Sequence, residues 1–170
     1  FPTRRSSDLA YTPPPKMDFS QLRMDSNQVN YVMRVFCYVA RRLPSADDGG
    51  IANPFIVVRC SGKTMVTKVK KRTLNPEWYE TLTTEIELPN QQDENAPAPT
   101  LVILLYHSDD GRDFLPEDLE NKSRKKVLLG RYWLELDTSV RKKFKGLTET
   151  IDIIYKKPKW VPIVYDKDDV

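Results

Sequence analysis

Leu43 to Cys60 reads L-P-S-A-D-D-G-G-I-A-N-P-F-I-V-V-R-C, and Lys68 to Glu80 reads K-V-K-K-R-T-L-N-P-E-W-Y-E. In the first stretch an acidic, turn-rich loop feeds an apolar, β-branched run through Asn53-Pro54, the punctuation expected ahead of a strand. In the second, a basic segment ends in an Asn-Pro turn and passes into aromatics. These two stretches fix what the rest of the chain must supply, which is a set of partner strands.

Those strands are legible outward from them. Tyr31 to Ala40 is apolar at both alternating sets of positions, which predicts a central strand buried on both faces. Phe55 to Cys60 follows the acidic loop, and Met65 to Lys71 predicts a half-exposed strand. Thr81 to Leu88 alternates cleanly, with Leu82, Thr84, Ile86 and Leu88 on one side and Thr81, Thr83, Glu85 and Glu87 on the other. Leu101 to Tyr106 is short and continuously apolar, as in a core strand. Leu128 to Leu136 follows, and Trp160 to Tyr165 carries Pro162, which places it at an edge. Pro116 to Lys126 predicts a short helix, with acids at its start and bases at its end. A second helix is expected after Asp137, with Val140 and Phe144 four apart and Gly146 as its stop. About eight short strands with little helix argue for an all-β, antiparallel sandwich.

The chain has 170 residues, 30% of them charged, and a net charge of +3. That length accommodates one domain with a real core. Charge is segregated: six Lys or Arg and no Asp or Glu lie between Asn53 and Asn75, while acids gather at Asp47-Asp48 and at Asp109, Asp110 and Asp113. Separated patches on a nearly neutral chain point to a surface-recognition module. Cys37 and Cys60 sit in apolar runs, where free buried thiols of a reducing compartment are expected rather than a disulfide. No apolar run approaches the roughly 20 residues of a membrane-spanning helix. Residues 1–29, with Pro13-Pro14-Pro15, predict a disordered leader and linker. The folded domain is expected over 30–166, and 167–170 form a tail.

The two opening stretches closely resemble the first calcium-binding loop and lysine-rich strand of a C2 domain, a β-sandwich module of phospholipid membranes. The resemblance covers Tyr31 to about Tyr165. The opening Y-V-M-R-V-F-C-Y-V-A-R-R-L-P, the turn L-N-P-E-W-Y-E and the closing P-K-W-V-P-I-V-Y-D are most similar to ferlin-type C2 domains of multi-C2 proteins in membrane fusion and repair. The resemblance implies a C2-type sandwich whose final strand is either missing or replaced by Thr148 to Tyr155. It also implies peripheral residence on the cytosolic face of membranes, with sister C2 domains in the parent chain as possible partners.

A C2 calcium site gathers oxygen ligands from two loops at one end of the sandwich, and the resemblance maps five aspartate positions onto this chain. Asp47 matches the first. Asn53 stands at the second, keeping an oxygen and losing a charge. His107 occupies the third, Asp109 the fourth, and Val127, which cannot ligate, the fifth. Two of five carboxylates survive, so calcium affinity is expected at or beyond the ~10⁻³ M end of the range. Asp113, Glu117 or Asp118 of the insertion Gly111 to Lys126 are the alternatives for a rebuilt site. His107, the only histidine, has no second candidate ligand or catalytic partner nearby, and a structural or solvent-facing role is expected.

The basic stretch carries Lys68, Lys70, Lys71 and Arg72, with Lys68 and Lys70 on one face if the two-residue period holds. Clustered anionic headgroups would meet such a face through charge-assisted hydrogen bonds. In the family this strand forms a phosphoinositide site with an aromatic rim, and the resemblance offers Tyr106 and Trp78 for that rim. An anionic phospholipid membrane is the expected partner. The other readings are a solvated strand edge protected by Lys, or a degenerate C2 domain serving protein-protein or interdomain contacts. Nucleic acid is not expected, because the run is short and lacks interleaved aromatics. No phosphate-cradling Gly loop, Cys/His metal spacing or Ser-His-acid set occurs, so no enzymatic activity is expected.

Overall fold

The computed structural model describes residues 28–46, 49–89, 99–136, 141–145, 150–154 and 157–164. Among them, eight strands run in chain order: β1 (Gln28–Val39), β2 (Pro54–Cys60), β3 (Lys63–Val66), β4 (Glu77–Pro89), β5 (Thr100–Ser108), β6 (Lys126–Glu135), β7 (Arg141–Lys145) and β8 (Thr150–Ile154). A 3-10 turn, Pro116–Glu120, interrupts the connection between β5 and β6. The all-β, antiparallel architecture is the one the sequence predicts.

Two sheets form the sandwich. One has the order β3-β2-β5-β6, the other pairs β1 with β4, and β7 and β8 make a separate hairpin. Alternation along the strands sorts the apolar residues between layers. Val58, Cys60, Met65 and Leu101 of the larger sheet meet Ile86 and Leu88 of β4 in one buried cluster. Cys37 and Trp78 of the smaller sheet meet Leu105 and Leu129 in another. The opposite face of β2 does not go to solvent. Phe55 and Val57 pack there with Val69, Phe114 and Leu119, so the 109–126 insertion lies over the outside of the larger sheet. Both cysteines are free and buried; burial, with Glu80 nearby, pushes the Cys37 thiol up to about 12, so it packs as a small hydrophobe.

Several local expectations change. β1 is not buried on both faces: Val32, Phe36 and Tyr38 of its outward set are exposed, because among the described residues its sheet has only one covered face. The strand expected over Met65 to Lys71 ends at Val66. Beyond it, the Ile56 amide donates to Thr67 Oγ1 at 2.9 Å and the Lys70 amide donates to the Pro54 carbonyl at 3.0 Å. The regular ladder thus stops at Val57↔Val66, where the Ile56 amide takes the Thr67 hydroxyl in place of its carbonyl. Val66 and Val69, three residues apart, then pack into the same cluster, which breaks the two-residue period assumed for Lys68 and Lys70.

The helix expected over Pro116 to Lys126 is a five-residue 3-10 turn, closed when the Ser123 amide and hydroxyl both bond Asn121 Oδ1. The helix expected after Asp137 is instead β7, paired with β8 in the register Phe144↔Ile151. The β-branched Thr150-Ile151-Asp152-Ile153-Ile154 offers a strand partner, and pairing overrides a weak helical spacing. Trp160 to Tyr165 is not a full strand. Within it, among the described residues, only Val164 bridges, exchanging both backbone bonds with Arg131 at 2.9 and 3.0 Å. Gly130 makes room for that closure, since a Cβ there would lie 2.2 Å from Ile163 Cγ2.

Candidate functional site

The turn Thr73-Leu74-Asn75-Pro76 brings the two informative stretches together. Backbone bonds from Ala40 to Pro76 and from Leu43 to Leu74, each 3.0 Å, tie it to the exit of β1. The Arg42 amide donates to Asn75 Oδ1 at 3.0 Å. Arg41 and Arg42 therefore join Lys68, Lys70, Lys71 and Arg72 at one end of the sandwich. Two of the six are neutralised locally. Arg41 Nη2 lies 2.9 Å from Glu77 Oε1, and Lys70 Nζ lies 3.8 Å from Glu80 Oε1. That second pair is ionic only, because Glu80 Oε1 accepts no hydrogen bond. Arg42, Lys68, Lys71 and Arg72 are exposed and carry no ion pair among the described residues. The sequence signal for Arg41 and Arg42 is their place directly before Leu43-Pro44, which a strand-by-strand reading passes over.

Trp78 is not on the rim. It is 4% exposed, and its indole N–H donates to the Lys68 carbonyl at 3.0 Å. Glu80 Oε2 accepts the Lys68 amide at 3.0 Å. Both backbone groups of Lys68 are thereby held by side chains of β4, and its own side chain is exposed. Tyr106 is half-buried and stacks on Phe55, centroids 5.7 Å apart. Burial raises its hydroxyl above the ordinary range, with Arg59 pulling it down and Glu120 pushing it up. It belongs to the layer under the insertion rather than beside the four unpaired cations.

At the loops, Asp47 lies outside the described residues. Asn53 is fully engaged. Its Nδ2 donates to the Ser108 carbonyl at 3.0 Å, its Oδ1 accepts the Arg72 amide at 2.9 Å, and its own amide donates to His107 Nδ1 at 2.9 Å. His107 is buried, and with Nδ1 accepting it carries its proton on Nε2, 3.6 Å from Asp109 Oδ1. Of the two roles expected for His107, structural or solvent-facing, its burial and this hydrogen bond fit the structural one. Asn53 joins the two loops through a donor that a carboxylate lacks. Asn53→Asp should accordingly lower stability by about 1–3 kcal/mol, since Ser108 O would lose its donor and face an anion. Chemical denaturation at neutral pH measures it, and an unchanged midpoint would refute the bridging role.

Two of the three substitute ligands, Asp113 and Asp118, are occupied as well, and Glu117 is exposed. Asp113 Oδ1 accepts the Val69 amide at 2.8 Å, and Asp118 Oδ2 accepts from the Leu115 amide and from Arg124, each at 3.0 Å. Among the described residues no three His, Cys, Asp or Glu side chains approach closely enough to hold a metal. Among these acids the structure places the guanidinium of Arg124. Its Nη1 donates to the Asp113 carbonyl at 2.8 Å, its Nη2 lies 3.4 Å from both Asp110 oxygens, and its Cζ sits 3.9 Å from the Phe114 ring centroid. In the sequence, Arg124 marks only a helix end.

The family model of the C2 domain matches residues 31–150. Ferlin 2 of Toxoplasma gondii is 33% identical over 89 residues, which is 51% of this chain and 6% of that protein. An uncharacterized protein of Schizosaccharomyces pombe is 43% identical over 61 residues, 35% of this chain and 5% of that one. The chain thus spans a small part of the length of the curated relatives it matches. The crystal structure of a RIM C2 domain from Drosophila is 18% identical with a TM-score of 0.41, covering 61% of this chain and 74% of that one. With the matched span running from β1 into β8, and a ferlin among its relatives, this chain belongs to the C2 domain family.

Proposed function

We propose that the domain is a peripheral phospholipid-binding module of a ferlin-like membrane-trafficking or fusion protein, docking through a cationic end surface with little or no dependence on calcium. The observation that carries this reading is the group of four exposed cations, Arg42, Lys68, Lys71 and Arg72, gathered around one turn without counter-ions among the described residues. Membership of a family whose members bind phospholipid supports it. No helix among the described residues is long and apolar enough to cross a membrane, and peripheral docking needs none.

Each basic residue near an anionic leaflet contributes about 1 kcal/mol. Four give about 4 kcal/mol, a millimolar interaction, so lasting residence would draw on sister domains in tandem. The weak-calcium part rests on the occupied side chains of Asn53, Asp113 and Asp118.

Co-sedimentation with phosphatidylserine-containing vesicles, with and without millimolar calcium and across a salt series, tests the reading. Salt-sensitive pelleting without calcium is the expected result. Lys68→Gln with Lys71→Gln should weaken binding by about 2 kcal/mol, roughly thirtyfold. Lys70→Gln should change it little, because Lys70 is already paired with Glu80. Absence of pelleting by the unmodified protein would favour protein contacts, and strict calcium dependence would overturn the calcium-independent part.

A further inference from the structure

β1 and β4 carry an exposed aromatic row that the core does not use. Phe36 stacks on Tyr38 at 6.3 Å with ring planes 12° apart, and Tyr38 meets Tyr79 edge-on at 6.1 Å. The three rings are 52%, 42% and 68% exposed, and Val32 on the same strand face is 56% exposed. Single exposed apolar residues need no explanation, but a contiguous group of large ones does.

Backbone geometry adds an independent observation. The β1-β4 register slips between Cys37↔Glu80 and Val39↔Glu77, so that Trp78 and Tyr79 together oppose Tyr38. Tyr79 is the residue in that bulge with φ +51°. The left-handed region accepts Gly and Asn readily and disfavours a bulky side chain. Bulges of this kind re-aim a side chain. Here the re-aimed side chain is the most exposed ring of the row, kept where a small residue would sit with less strain. Strain held at a solvent-facing aromatic points to use.

The neighbours of Tyr79 indicate what it meets. Trp78 before it takes the Lys68 carbonyl, and Glu80 after it takes the Lys68 amide. Tyr79 itself faces outward with Tyr38, at the end of β1 where Arg42 meets the 74–76 turn and the cations gather, and Arg34 is exposed on the same strand face between Val32 and Phe36. A row of amphipathic rings bordered by cations matches the interfacial zone of an anionic bilayer, where Tyr sits at headgroup depth and basic residues meet phosphate. We infer that Phe36, Tyr38 and Tyr79 form the apolar half of the membrane-docking surface, entering the headgroup region of an anionic phospholipid bilayer while Lys68 and its neighbours hold the phosphates. This rests on the membrane reading above and supplies the non-electrostatic part that four cations lack.

The test is Tyr79→Asn in the whole chain, with phosphatidylserine/phosphatidylcholine vesicles over a salt series. Asn suits the left-handed backbone, so the variant should melt at or above the temperature of the unmodified protein, and weaker binding could not be ascribed to misfolding. Removing one ring should weaken vesicle binding about threefold to tenfold, from the apolar area it would bury. The dependence on salt should keep its slope, whereas Lys68→Gln with Lys71→Gln should flatten it. Tyr79→Trp should bind more tightly. If Tyr79→Asn binds like the unmodified protein while the lysine variant loses binding, the aromatic inference falls and the cationic reading stands. If the unmodified protein does not bind vesicles, both fall, and a protein partner becomes the occupant of this face.

Discussion

Trp78→Ala should unfold the domain at markedly lower denaturant, losing about 3–5 kcal/mol, the range for deleting a buried large aromatic. The indole is 4% exposed and packs in the cluster of Cys37, Leu43, Leu105 and Leu129, where the two sheets meet. Its N–H is also a satisfied donor to the Lys68 carbonyl. Trp78→Phe separates the two contributions, since it keeps most of the apolar contact and leaves that carbonyl without its donor. It should cost about 1–3 kcal/mol. Because the same bond positions Lys68, the Phe variant should also loosen the cationic segment, seen as faster exchange of the Val69 and Lys70 amides. Equilibrium denaturation followed by Trp fluorescence is confounded by Trp133 and Trp160, so circular dichroism is the better signal. A loss below about 1 kcal/mol for Trp78→Ala would place the ring outside the core, contrary to its packing.

The residues that announce strands are those whose partners are met through a simple period. β2, β4, β5 and β6 are legible because the alternation of Leu82, Ile86 and Leu88, and the apolar run Leu101 to Tyr106, need only a partner sheet to be explained. What escapes is decided by single bonds. The Ile56 amide bonds the Thr67 hydroxyl instead of its carbonyl, and β3 ends at Val66, before the basic stretch begins. β7 looks helical because Val140, Phe144 and Gly146 fit a helical spacing, while its strand partner, Thr150–Ile154, lies further along the chain than that spacing reaches. β1 looks doubly buried because period alone cannot tell an aromatic row meant for a surface from one meant for a core.

The candidate site divides in the same way. Lys68, Lys71 and Arg72 are legible as a charge run, and their exposure agrees with that. Lys70 sits in the same run, although Glu80 takes its charge from the far side of a turn. Trp78 suggests a rim residue because an aromatic after an Asn-Pro turn carries no sign of which way the following bulge points it. Arg41 and Arg42 join the cluster only through the bonds from Ala40, Arg42 and Leu43 to the 74–76 turn, contacts between segments far apart in sequence. Asn53 differs from the family aspartate by one atom type, and its meaning comes from the Ser108 carbonyl it faces.

Arg124→Met should detach the 109–126 insertion from the sheet and cost about 3 kcal/mol. The guanidinium side chain is 19% exposed and bonds the carbonyls of Arg112 and Asp113 and the Asp118 carboxylate, with Asp110 close by. It also covers the Phe114 ring, which stacks on Phe55 at 4.7 Å. Met preserves part of the apolar contact and removes the charge and every donor. Most of the loss should come from Asp118 and the two carbonyls, because Asp110 is solvent-exposed and its ion pair is screened. Arg124→Lys should recover only a fraction, since one ammonium cannot reproduce the planar fork. The pH dependence has a defined sign. The Asp110 carboxyl is held below the usual carboxylate range, first by the Arg112 amide, with smaller help from the Ser108 hydroxyl and Arg124 and against the effect of desolvation. A depressed carboxylate stabilises the fold above its ordinary value, and that contribution disappears as pH falls through the lowered one. In Arg124→Met the folded value moves part of the way back, so the acid-dependent loss should be smaller and should end at a higher pH, with its onset unchanged. Hydrogen exchange supplies the local readout. The Val69 amide, bonded to Asp113 Oδ1, and the Leu115 amide, bonded to Asp118 Oδ2, should lose protection, while Val57 and Leu105 keep theirs. If all four lose protection together, the insertion and the sheet unfold as one unit and Arg124 is a global support. If none does, the guanidinium is not what holds the insertion down.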